Sequence, residues 1–264
     1  VVFSLKANPE ITNVPPVDED LNTTIEKTGV YAFEDEWPKA GDYDMNDVMI
    51  RYTSKVYKSI LTNRIYKVVD EFTPLHRGGY LVNGFGYQLH NTTNSDISKV
   101  TIESPSYAPK SQYMPGETEA GQSHPTILLF DNMAIFDNKE EKARKYTVTI
   151  QVNDVTSKSI LPPYNPFIFV GSGQARGREV HLVKYPPTDK ADLSLLGTGK
   201  DVSRPEEDLY YVSIDLMPFA LNMPVSEFPI PEEGIRIDES YPKFTTWVKS
   251  NGAQAKDWYK YPKK

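Results

Sequence analysis

The stretch "RKYTVTIQV", residues 144–152, decides the fold class. Tyr146, Val148, Ile150 and Val152 alternate with Thr147, Thr149 and Gln151, the period of two that sets one face of a strand on a core and the other in water. Working outward, "DVMIRYTSKVY" (47–57), "RIYKVVDEF" (64–72), "YLVNGFGYQL", "SKVTIE", "TILLFDNMAIF", "NPFIFV", "EVHLVKY" and "DLYYVSIDL" are β-branched or aromatic, of strand length, and bounded by turn residues. Roughly nine or more strands without interleaved amphipathic helices predict an all-β chain, an antiparallel β-sandwich of jelly-roll-like type with long loops.

Two segments depart from this pattern. Residues 104–125, "SPSYAPKSQYMPGETEAGQSHP", are dense in Pro, Gly and Ser and predict a long excursion from the sandwich edge. "DESYPKFTTWVKSNG" predicts a short C-terminal helix docked over one open end, with Ser240 as N-cap, Tyr241, Phe244, Trp247 and Val248 on one stripe, and Asn251-Gly252 as the stop. Residues 1–28, with clustered Pro, Asp and Asn, are expected to be an arm or linker, and residues 29–264 one domain.

Composition narrows the function classes. The 264 residues hold 17 Tyr, 11 Phe and 3 Trp, enough to build a core. There is no cysteine, which removes disulfides, thiolate metal sites and a cysteine nucleophile together. The formal net charge of -7 argues against a nucleic-acid binder, and the basic aromatic tail "KDWYKYPKK" is expected to pack instead of stacking on bases. No apolar run reaches the roughly 18 residues of a membrane span. The chain begins without methionine, which fits removal of a leader.

The chemistry concentrates in "FEDEWPKAGDYDMND", residues 33–47, where six carboxylates face one lysine. Two carboxylates about 4 Å apart repel by roughly 4 kcal/mol at an effective dielectric near 20, so converging acids need water, protons or a cation. Asp42, Asp44 and Asn46 form D-x-D-x-N, three short oxygen side chains at alternate positions of a tight loop. Such a run can be a solvated Asx-turn, but the flanking strands and the preceding Glu34-Asp35 pair favour a metal, with Asp47 ligating or accepting amides. Ca²⁺, with six to eight oxygens, suits this set better than Mg²⁺, and an EF-hand is excluded because Asp47 and Thr53 stand where its glycine and glutamate belong.

"FEDEWPKAGDYDMNDVMIRY" resembles the opening signature of the LruC-type domain, as do "EVHLVKYPPTD", "LLGTGKDVS", "YYVSIDLMPFALNMPVSEFPIPEE" and "YPKFTTWVKSNGAQAKDWY" further on. The resemblance spans about residues 29–261; Val183 and Lys184 depart from its Pro and Gly. It implies one domain of an exported or lipid-anchored bacterial surface protein, extracytoplasmic and without established catalysis. By position it places Glu34, Asp35, Asp42, Asp44, Asn46 and Asp47 on the acidic signature.

Other motifs carry less. "GTGKD" (197–201) breaks the phosphate-loop pattern at Asp201, and "GSGQARGRE" (171–179) is expected to be a flexible hairpin tip without the helix that phosphate binding needs. The four histidines show no metal or nucleophile spacing, and GxSxG is absent. The expected function is therefore a non-enzymatic surface module stabilised by Ca²⁺, in adhesion or display, with a surface glycan or a host matrix protein as partner. The alternative is a carbohydrate-binding module, for which Tyr107 and Tyr113 are the expected exposed rings; a glycosidase comes third.

Overall fold

The computed structural model describes residues 22–156, 160–170 and 176–263. Ten strands run in chain order: β1 (Asn22–Phe33), β2 (Val48–Ser59), β3 (Arg64–His76), β4 (Asn83–Gln88), β5 (Ile97–Glu103), β6 (Thr126–Phe130), β7 (Tyr146–Thr156), β8 (Asn165–Val170), β9 (Glu179–His181) and β10 (Ala220–Met223). They form a six-stranded sheet in the order β10-β1-β2-β3-β7-β5 and a four-stranded sheet in the order β6-β4-β8-β9. Every pairing is antiparallel. The chain is the all-β sandwich that the alternation predicts, with ten strands where a jelly roll has eight.

The sheets meet through aromatic rings. Phe85 of β4 lies 5.6 Å from Phe72 and 6.4 Å from both Tyr31 and Phe33, all three in the opposite sheet. Within its own sheet it lies 6.0 Å from Phe130. In β7 the four predicted inward residues Tyr146, Val148, Ile150 and Val152 are buried, as the alternation requires.

Three local expectations are corrected. Residues 22–28, read as the end of an arm, are the first half of β1, where Thr23, Thr24 and Ile25 supply β-branched side chains and pair with β2; residues 1–21 lie outside the described residues. "DLYYVSIDL" makes only isolated bridges, and the last strand is β10, which flanks β1. The predicted C-terminal helix is two short ones, α1 (Ile237–Ser240) and α2 (Phe244–Lys249), with Ser240 ending the first instead of capping the second. Pro242 stands between them, and a residue preceding proline is biased away from helix. The Asn251-Gly252 stop is present: both residues have positive φ, and Gly252 N–H donates to the Trp247 carbonyl. The helical aromatics pack on Trp258, which is 4.8 Å from Phe244 and 5.4 Å from Tyr241.

One acid sits inside the sandwich. Asp70 of β3 is buried, and its two oxygens accept hydrogen bonds from Tyr87 and Tyr164, each at 3.1 Å. Burial pushes its pKa up to about 6 against the lowering effect of these hydroxyls. The folded carboxyl therefore keeps a proton that the unfolded chain has released, and stability contributed at low pH is lost as pH rises from about 4 through about 6. Asp70→Asn carries no such charge, so its stability relative to wild type is expected to improve by about 3 kcal/mol between pH 4 and pH 7. Denaturant unfolding of both proteins at the two pH values checks this; a pH-independent difference would disprove it.

Candidate metal site

The acidic loop is the connection between β1 and β2. These strands pair without a slip from Asn22↔Ser59 to Phe33↔Val48, so residue 34 leaves the ladder and residue 47 re-enters it at one point. Register alone thus sets Glu34 and Asp35 beside Asp47, and Asp35 N–H donates to Asp47 Oδ2 at 2.8 Å.

Glu34 organises the rest. Its carboxylate is fully buried, with Oε2 accepting Tyr43 N–H at 3.0 Å and Oε1 accepting Met45 N–H at 2.7 Å. Tyr43 and Met45 stand at φ 58° and 64°, a left-handed conformation that costs a bulky residue of order 1–3 kcal/mol. Between them Asp44 is buried and accepts Asn46 N–H at 3.0 Å, Asn46 Nδ2 at 2.8 Å and Gly234 N–H at 2.8 Å. Asp42 is exposed, and its Oδ1 accepts Asp44 N–H at 3.5 Å. Glu34, Asp42 and Asp44 each offer an oxygen, the three lying within 4.8 Å of one another.

Of the remaining predicted ligands, Asp35 and Asp47 pair beside the triad and Asn46 is hydrogen-bonded to it through Asp44. Asp35 accepts Asn83 Nδ2 at 2.7 Å, and Arg178 donates to the backbone carbonyls of Asp35 (3.0 Å) and Trp37 (2.7 Å). Asn46 turns its amide nitrogen to Asp44 and to the Pro231 carbonyl, while its buried Oδ1 has no hydrogen-bond partner. Asp47 is half-buried beside Asp35.

Electrostatically, the Arg178 cation touches the loop at the Asp35 and Trp37 carbonyls and not at the triad. Among the described residues no ion pair reaches Glu34, Asp42 or Asp44. Burial raises the Glu34 pKa well above the ordinary carboxylate value, with the Asp47 charge adding to it and the two amides opposing it. Burial likewise raises Asp44 and Asp35, and it pushes Asp47, beside Asp35, to about 7. A cation held by the triad would oppose the raised values of Glu34 and Asp44.

Sequence reasoning missed the groups that enclose the loop. Gly78 and Gly79, between β3 and β4, cross close over it: Gly78 N–H donates to the Asn46 carbonyl at 3.1 Å, and a Cβ there would overlap Asn46 Oδ1. The paired glycines in "HRGGY" were the signal for that close approach. Arg178, Gly234 and Pro231 come from far along the chain, where no local pattern marks them.

"GTGKD" is a turn in which Asp201 accepts Gly197 N–H at 2.8 Å, whereas residues 171–175 of the expected hairpin tip lie outside the described residues. Tyr107 and Tyr113, expected to be exposed, are instead half-buried, because each packs edge-on against a buried ring, Phe136 and Phe169 respectively, and Lys139 lies 4.8 Å over the Tyr107 ring.

The fold has a counterpart. A crystal structure described as a "putative lipoprotein from Bacteroides ovatus" superposes with a TM-score of 0.70 at 18% identity, covering 98% of this chain and 79% of that one, a likeness of fold. No curated protein matches the chain. A family described as a domain of unknown function, DUF4842, matches residues 63–259. That span begins past the acidic loop, so the part of the LruC-type resemblance carried by residues 33–52 falls outside it, while it includes the residues 231–234 that close over Asp44. The match extends over most of the sequence, and the chain belongs to the DUF4842 family.

Proposed function

We propose that the chain is a non-catalytic module held outside the cytoplasm, serving in adhesion or surface display, whose acidic loop is fastened by one Ca²⁺ between Glu34, Asp42 and Asp44. The carrying observation is the triad itself: three carboxylate oxygens within 4.8 Å with, among the described residues, no ion pair to offset them. An ionised carboxylate offers about four acceptor sites. Amides take two at Glu34 and three donors engage Asp44, which leaves about two acceptor sites on Glu34 and about one on Asp44, while exposed Asp42 opens the remaining positions to water. A hard cation that accepts carboxylates and water together fits this donor set. The fold's likeness to a protein described as a lipoprotein supports the extracytoplasmic part of the reading.

The ion would join three parts of the chain: the end of β1, the D-x-D-x-N turn and, through Asp44 and Gly234, the C-terminal segment. Ca²⁺ at about a hundred times its dissociation constant is expected to add about 2.7 kcal/mol, raising Tm by roughly 5–10 °C over a sample in chelator. Melting curves with calcium and with EGTA test this. Superimposed curves would remove the metal from the account.

A further inference from the structure

The β2–β3 hairpin is unlike the rest of this acidic protein. Residues 55–67, "KVYKSILTNRIYK", hold four basic residues and no acid on a chain of net charge -7. The connection at its tip, residues 60–63, exposes two large apolar side chains, Ile60 at 58% and Leu61 at 77%. One layer back, on the outer face of the sheet, Tyr57 and Tyr66 lie 6.3 Å apart and Lys67 sits 4.2 Å over the Tyr57 ring. Lys55 is in the same layer, in a 3.6 Å exposed pair with Glu26. The order from the tip inward is aliphatic, then aromatic and cationic. That is the depth order of a bilayer surface: acyl chains, interface, anionic headgroups.

We propose that this tip is a membrane-contacting element, with Ile60 and Leu61 entering the outer layer of an anionic lipid bilayer, Tyr57 and Tyr66 at headgroup depth, and Lys55, Lys58 and Lys67 facing lipid phosphates. The partner is committed by charge: the cationic collar complements a negative bilayer, whereas tip-to-tip pairing of two copies would set collar against collar and be repelled. Position agrees. β2 runs from the acidic loop to the tip, about 36 Å at strand rise, so the contact surface and the candidate metal site occupy opposite ends of the sandwich. β1 enters the sheet at Asn22, paired with Ser59 beside the tip. The inference goes beyond the calcium reading and does not depend on it.

Co-sedimentation of the full chain with vesicles tests it. Equimolar phosphatidylcholine/phosphatidylglycerol vesicles are expected to bind at least tenfold more tightly than phosphatidylcholine alone, the difference shrinking in 0.5 M salt. Ile60→Asp with Leu61→Asp is expected to weaken binding at least tenfold with Tm unchanged, and Lys58→Gln or Lys67→Gln about fivefold each. Leu61→Trp is expected to shift its emission to the blue on anionic vesicles, a sign of entry that electrostatic adsorption alone does not give. Failure to sediment with anionic vesicles, equal binding by the aspartate double variant, or an unshifted tryptophan would each overturn the proposal.

Discussion

Arg176→Ala is expected to destabilise the protein by about 3–5 kcal/mol, lowering Tm by roughly 10–15 °C. Arg176 holds Glu119 with two hydrogen bonds, Nε to Oε1 at 2.7 Å and Nη2 to Oε2 at 2.6 Å, and pairs with Glu179 through Nη1. Its guanidinium lies 5.0 Å over Phe167 and 5.2 Å over Phe169. Glu179, fully buried in β9, also accepts from Thr188 and meets His181 Nε2 at 2.8 Å, while His181 Nδ1 lies 2.6 Å from Asn165 Oδ1. Burial alone would raise Glu179, yet His181 and Arg176 together hold it below the ordinary carboxylate value. Removing the arginine leaves two nearly buried carboxylates without a cation, and the 104–125 excursion loses its tie to β9. Urea unfolding measures the loss. Arg176→Lys, which keeps the charge but not the fork, should fall between wild type and alanine. A loss below 1 kcal/mol for the alanine variant would show that the network carries no net stability.

Glu34→Ala is expected to cost about 2–6 kcal/mol, since it leaves the amides of Tyr43 and Met45 buried without acceptors, at about 1–3 kcal/mol each. Both residues are in the left-handed region that Glu34 holds in place, so the turn is expected to relax and Asp44 to lose its position. Calcium should then no longer raise Tm. Glu34→Gln keeps one carbonyl acceptor and should lose about half as much stability while losing the calcium response entirely. Retention of that response in Glu34→Gln would exclude Glu34 as a ligand.

The alternation in "RKYTVTIQV" made the sandwich legible, because a half-buried strand writes its environment into every second residue. "DLYYVSIDL" is likewise rich in aromatic and β-branched residues and is not a strand of either sheet: Ser203 Oγ accepts Tyr211 N–H, Ser213 Oγ accepts Met217 N–H, and the segment folds into turns. At the site, D-x-D-x-N with Glu34 was readable from spacing, and the triad it forms is local. What encloses it was not readable. Gly78 arrives from the β3–β4 connection, where paired glycines mark a close approach but not its partner, while Arg178, just before β9, and Gly234, 190 positions beyond Asp44, are placed with no nearby pattern. The six predicted ligands consequently divide, with Glu34, Asp42 and Asp44 in one cluster, Asn46 turning its amide nitrogen to Asp44, and Asp35 and Asp47 in a neighbouring pair.

Calorimetric titration of the chelator-stripped chain with CaCl₂, in parallel with Asp42→Asn, tests the metal-bound loop most directly. Asp42 is exposed, so its substitution leaves the fold undisturbed while removing one side of the triad. One ion per chain, with affinity reduced at least tenfold in Asp42→Asn, is the predicted result. No heat at millimolar calcium, or identical isotherms for the two proteins, would contradict it.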